Sequence, residues 1–131
     1  MDLEQARRQM LNQQLRPWEV LDPDVLAAFE EVPREFFVPE RFQRLAFADT
    51  EIPLPHGQCL MRPSVEGRLL QALALAADDE ILEVGAGSGF LTACLARLAG
   101  RVHSIEYHGD LAEAARRRLA ACGAADVRLE Q

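Results

Sequence analysis

Apolar residues recur every three or four positions along the first half of the chain. Leu3, Ala6, Met10, Leu11 and Leu15 form one such stripe, and Asp2 with Gln5 resembles a capping box. A helix is therefore predicted from Asp2 to about Leu15, stopped by Pro17. A second helix is predicted to open at Asp22 with Pro23 in its first turn, to bury Val25, Leu26 and Phe29, and to end at Val32-Pro33. Prolines 33, 39, 53, 55 and 63 then leave room for a short helix near Glu40–Leu45 and otherwise irregular or short extended backbone. A further helix fits Ser64 to about Ala76, with Val65, Leu69, Leu73 and Ala76 on its apolar face.

The rhythm changes at Asp78. Ile81–Val84 reads as a short apolar strand that runs into Gly85-Ala86-Gly87-Ser88-Gly89 and a helix from Phe90 to Ala99, closed by Gly100. Val102–Ile105 is a second strand. Asp110-x-x-Glu113 reads as a capping box opening another helix, with Leu111, Ala114, Ala115, Leu119 and Cys122 on its face and Gly123 as its stop. Asp126–Leu129 is a third strand. The alternation β-α-β-α-β predicts an α/β fold with parallel strands, one half of a doubly wound Rossmann-like sheet preceded by a helical N-terminal region. Two regions are expected: residues 1–77, helical and carrying a loop over the site, and residues 78–131, the first half of the cofactor-binding sheet.

Charge narrows the partners. The 131 residues hold 14 arginines, no lysine and 21 acids, for a net charge of −7. That balance disfavours nucleic acid, which needs a basic face, and anionic membranes. No apolar run approaches the ~18 residues of a membrane span, and no secretory leader is apparent. Cys59, Cys94 and Cys122 are widely spaced and odd in number, and the three histidines have no ligand spacing. Neither a disulfide framework nor a metal site is expected, and a cytoplasmic location is.

The sharpest chemistry lies in Glu83-Val84-Gly85-Ala86-Gly87-Ser88-Gly89. Glycines at a strand-to-helix turn allow a tight bend and close approach of backbone to a ligand. Three at alternate positions exceed what an ordinary connection needs. The dinucleotide fingerprint requires glycine at the position held by Phe90, so NAD is disfavoured. Glu83, near the carboxyl end of its strand, would repel a pyrophosphate and attract a cation, as S-adenosylmethionine is at its ammonium and sulfonium. Glu106 follows Glu83 by 23 positions, close to the spacing at which an acid accepts hydrogen bonds from ribose hydroxyls. Tyr107 either stacks beside the adenine or is a half-exposed packing aromatic.

These residues resemble the cofactor site of class I S-adenosylmethionine-dependent methyltransferases. The N-terminal blocks Val32-Pro33-Arg34-Glu35-Phe36-Phe37-Val38-Pro39, Ala46-Phe47-Ala48-Asp49, Ile52-Pro53-Leu54, Gly57-Gln58 and Pro63 are similar to the protein-L-isoaspartate O-methyltransferase family. The resemblance spans essentially the whole chain. It implies methyl transfer from S-adenosylmethionine to the carboxylate of isoaspartyl residues in damaged proteins or peptides. By resemblance Gln58, Glu83, Gly85, Ala86, Gly87, Ser88, Gly89, Glu106 and Tyr107 belong to the cofactor side, and Gly57, Cys59, Leu60 and Arg62 to the loop over the substrate.

Two departures open alternatives. Met61 stands where the family has a serine associated with the reacting carboxylate, and a thioether donates no hydrogen bond. A paralogue with another acceptor is thus a second reading. Arg62 is either a partner for a substrate carboxylate or an ordinary surface arginine. The chain also ends at Gln131, where the family continues with further strands and helices. An incomplete sheet, with self-association of the chain, is expected, and a non-catalytic cofactor-binding domain is a third reading.

Overall fold

The computed structural model describes residues 2–131. Five α-helices and five strands are joined by 3-10 turns: α1 (Leu3–Met10), α2 (Pro23–Glu31), β1 (Ile52–Pro53), β2 (Cys59–Leu60), α3 (Pro63–Leu73), β3 (Glu80–Val84), α4 (Phe90–Leu98), β4 (Arg101–Ile105), α5 (Gly109–Ala121) and β5 (Arg128–Glu130). Strands β3, β4 and β5 form a parallel sheet in that order, with Glu83 opposite Ser104 and Ser104 opposite Leu129. The α/β architecture with a helical N-terminal region is as the sequence predicts. Strands β1 and β2 add a short antiparallel pair, Ile52 opposite Leu60.

The caps explain the boundaries. The Asp2 carboxylate accepts the Gln5 N–H, and the Asp22 carboxylate accepts the Asp24 N–H ahead of Pro23. After Met10 the first helix widens into a π turn over Leu11–Leu15 and then tightens into a 3-10 turn over Arg16–Trp18. The core is continuous across both regions. The Phe90 ring, at the first turn of α4, lies 5.5 Å from Phe29 and 5.9 Å from Phe37, all three fully buried.

Several boundaries and faces differ from expectation. Helix α3 stops at Leu73, where Ala74 turns left-handed at φ 48°, instead of running to Ala76. Its expected apolar face, Val65, Leu69 and Leu73, is exposed, and Ser64, Glu66, Gly67 and Leu70 point inward. Both stripes fit a helical period, and the fold selects the one that brings Gly67 against Leu15 and Val20. Helix α5 starts at Gly109 with His108 before it, so Asp110 is not its N-cap and no capping box forms. Glu113 pairs with Arg117 one turn on, and Asp110 turns to His56. The last strand is Arg128–Glu130, two residues later than expected at its start.

Strand β3 lies at one edge of the sheet. It buries its acid Glu83 and exposes Leu82 (63%) and Val84 (75%), so one face of the parallel sheet is bare at this strand, and the sheet is open at that edge as expected. A Cβ on Gly67 would stand 3.0 Å from both Leu15 and Val20. Gly67→Val should therefore lower stability by about 1–3 kcal/mol through overpacking. Urea denaturation would read this as a lower midpoint at constant slope.

Candidate functional site

The turn between β3 and α4 places Gly85, Gly87 and Gly89 at φ 93°, 57° and 96°. Gly89 meets a second constraint, since a Cβ there would lie 3.1 Å from Ala115 and 3.4 Å from Phe37. The Gly85 N–H extends the ladder to the Ile105 carbonyl at 2.8 Å. Ala86 and Ser88 are buried. The Ser88 hydroxyl accepts the Phe90 N–H, and its carbonyl accepts from Arg118.

Both predicted carboxylates are buried at this turn. Glu106 follows β4 directly, and its Oε1 accepts the Gly87 N–H while Oε2 accepts the His108 N–H, each at 2.9 Å. Each oxygen keeps a second lone pair. Glu83 Oε1 accepts the hydroxyls of Thr92, from α4, and Ser104, from β4. Burial pushes the Glu83 carboxyl above its ordinary range, those two hydroxyls pull it back, and the nearby Glu106 charge raises it further. A carboxylate this deep, with both hydroxyls on one oxygen, has its other oxygen to offer a cation.

The predicted loop divides into parts. A Cβ on Gly87 would lie 3.5 Å from Leu54 Cδ1, so the residue after β1 packs beside the glycine turn. His56 at φ 65° and Gly57 at φ 70° bend the loop sharply. The His56 ring stacks on His108 at 4.0 Å, and its Nε2 is 2.8 Å from Asp110 Oδ1. Gln58 is exposed and donates to the His56 carbonyl. Cys59 is exposed and donates to Glu51. Leu60 is only 5% exposed and belongs to the core, so it does not line the loop's outer face. Met61 is half-buried and Arg62 exposed, with no carboxylate partner among the described residues. Tyr107 projects into solvent at 86% exposure, its ring edge-on to His108.

Sequence reasoning passed over the buried pair that holds this loop. Arg34, fully buried, donates through Nη1 to Glu66 Oε1 at 2.7 Å, through Nε to the Ala46 carbonyl at 2.8 Å and through Nη2 to the Met61 carbonyl at 3.0 Å. Its guanidinium lies 4.5 Å from the Phe90 ring centre. Burial raises Glu66 from 4.5 to about 7, Arg34 opposes that rise, and Glu83 adds to it. An arginine inside an otherwise apolar block was the available signal. Thr92 and Ser104 were also passed over. The alternation Val102, Ser104, Glu106, all inward, was the signal for Ser104.

A glycine-rich turn between parallel strands, with a buried acid at the end of each, defines a Rossmann-like α/β fold. The family model for protein-L-isoaspartate(D-aspartate) O-methyltransferase matches residues 5–131. The chain belongs to that family. Protein-L-isoaspartate O-methyltransferase 1 of Rhodopseudomonas palustris (strain HaA2) is 44% identical over 125 residues, covering 95% of this chain and 51% of the relative. The protein-L-isoaspartate O-methyltransferase of Methanoregula boonei is 43% identical over 121 residues, 92% of this chain and 56% of its own. The chain thus spans about half the length of the curated relatives it matches. A putative protein-L-isoaspartate O-methyltransferase from Plasmodium falciparum, solved in complex with S-adenosyl-L-homocysteine, shares the fold at a TM-score of 0.79 and 20% identity. That match covers 94% of this chain and 61% of the other.

Glu66 sets a pH dependence. Between its ordinary value of 4.5 and its folded value of about 7, the folded chain keeps a proton that the unfolded chain has released. This group's contribution to stability must therefore fall as pH rises through that window and level off above it. The Tm of the wild type relative to that of Glu66→Gln, whose amide mimics the protonated acid, should fall between pH 5 and pH 8, which thermal melts would measure. A gap independent of pH would return Glu66 to an ordinary carboxyl.

Proposed function

We propose that the chain is the cofactor-side half of an S-adenosylmethionine-dependent O-methyltransferase acting on isoaspartyl residues of damaged proteins or peptides. The observation that carries this reading is the pair of buried carboxylates, Glu83 and Glu106, set against the glycine turn. The free oxygen of Glu83 suits an ammonium group, and the spare lone pairs of Glu106 suit a ribose diol. An anionic pyrophosphate in the same place would meet two carboxylates at low dielectric. Ala86, Ser88, Gln58 and Tyr107 act on this reading through their backbone or as the rim of the site. The named activity of the relatives and the bound S-adenosyl-L-homocysteine of the Plasmodium protein support it.

S-adenosylmethionine supplies an electrophilic methyl group on a sulfonium. The acceptor carboxylate is already ionised near neutral pH, so no general base is needed. The protein's part is to align the reactants and to exclude water, and on this reading the segment from Leu54 to Met61 contributes to both. Gly57, Cys59 and Met61 of that segment, with Arg62 just beyond it, are the residues nearest a substrate on this reading. Met61 favours a second reading, another methyl acceptor, because its thioether donates no hydrogen bond to a carboxylate.

A methylation assay on an isoaspartyl peptide and its aspartyl counterpart separates the two readings. Transfer to the isoaspartyl peptide alone supports the first, and transfer to neither, with cofactor still bound, supports the second. Glu106→Ala should weaken S-adenosylhomocysteine binding by about 1.5–3 kcal/mol, the scale for hydrogen bonds to a charged group. Calorimetric titration showing an unchanged Kd would remove Glu106 from the site.

The edge of β3 makes self-association part of the same proposal. Its outer backbone has no partner strand among the described residues, and Leu82 and Val84 lie bare beside it. Such an edge is a template for pairing. Sedimentation of the purified chain should show concentration-dependent association, reduced by Val84→Lys. A monomer at all concentrations would refute this part.

A further inference from the structure

The Arg34–Glu66 pair has more to explain than stability. A buried ion pair contributes little to net stability compared with apolar residues of similar volume. This one also leaves Glu66 Oε2 buried without a hydrogen-bond partner. Its distinctive feature is where the guanidinium points. The three donor nitrogens reach three separate segments: the Ala46 carbonyl, helix α3 through Glu66, and the Met61 carbonyl at the end of the covering loop. Three residues beyond Met61, the Ser64 N–H and hydroxyl donate to Asp49, which fixes the start of α3. The loop is therefore anchored rigidly at Met61, while its other end bends at His56 and Gly57 in left-handed conformations.

We propose that Arg34 and Glu66 are positioning residues of the acceptor subsite, acting through the backbone carbonyl of Met61. The inference rests on the reading of this loop as the acceptor loop. Arg34 orients Met61, and Glu66 orients Arg34. Held in this way, the half-buried Met61 has its backbone fixed by the guanidinium that also lies over the Phe90 ring. Arg34 from the 3-10 turn Arg34–Phe37, Glu83 from β3 and Cys94 from α4 are the charged or titratable groups that act on Glu66. The elevated titration of Glu66 makes the contact responsive to pH, and that supplies a readout which packing alone would not give.

The chain has three methionines, so labelling with methyl-13C methionine and assignment by Met61→Leu isolates the Met61 resonance. In the wild type that resonance should move with pH in a single step near neutrality. In Glu66→Gln it should stay at the wild type's acid position throughout. A wild-type Met61 resonance indifferent to pH overturns the proposal, and so does one that titrates equally in Glu66→Gln. The wild-type titration decides the matter even if the variant does not fold. In the protein assayed for methyl transfer, Glu66→Gln should raise the acceptor KM by about tenfold with a much smaller change in S-adenosylhomocysteine Kd, as misplacement of a substrate contact does. Equal losses on both would make the pair merely structural and overturn the proposal. The resonance readout needs no acceptor, so a protein that methylates nothing would sink the proposed function while leaving the Met61 result to judge the pair.

Discussion

Everything around the site hangs on one guanidinium. Arg34 sits on a four-residue 3-10 turn, Arg34–Phe37, that also supplies Phe37, and both side chains meet Phe90 where α4 begins. The turn therefore ties the N-terminal region to the helix that follows the glycine turn. Desolvating an arginine completely is expensive, and Glu66 must lie opposite it to make that tolerable. That requirement determines which face of α3 turns inward. Once Glu66 is inside, Gly67 and Leu70 follow by helical geometry, α3 closes on Leu15 and Val20, and Val65, Leu69 and Leu73 are left outside.

The same constraint explains what was and was not legible in the sequence. The β-α-β-α-β order, the glycine turn and both acids could be read directly, because strand, tight turn and helix each leave a local signature. The caps at Asp2 and Asp22 could be read for the same reason. The burial of α3 could not, since the apolar stripe Val65, Leu69 and Leu73 is the exposed one and a polar pair across 32 positions turned the mixed face of Glu66, Gly67 and Leu70 inward. Hydropathy ranks a glutamate and a glycine below valine and leucine. It cannot register that a distant arginine makes the glutamate the better buried residue. The start of α5 was misplaced by a similar cross-chain contact, His56 with Asp110, which draws the aspartate away from any capping role.

Strand β3 carries the inversion to the site itself. Ordinarily a strand hides its leucines and shows its acids. Here Glu83 is the buried residue, and its cost is met by hydroxyls from two neighbouring elements, Thr92 on α4 and Ser104 on β4. A carboxylate so placed is preorganised. Its hydrogen bonds hold it in one orientation before any ligand arrives, and burial heightens its response to a positive charge. Glu106 is held similarly, by two backbone N–H groups. The acids are thus part of the scaffold as much as of the site.

The clasp between His56 and His108 works on the opposite principle. Its rings are stacked at 4.0 Å, and Asp110, which hydrogen-bonds to His56, is itself exposed to solvent. Contacts so exposed to water bias a loop without locking it. The covering segment therefore has a firm end at Met61 and a yielding end at His56, like a door hung on one side. Displacing the yielding end therefore costs less than displacing the firm one, so a bulky group beneath the segment would be accommodated at His56 and Gly57 before Met61 gives way.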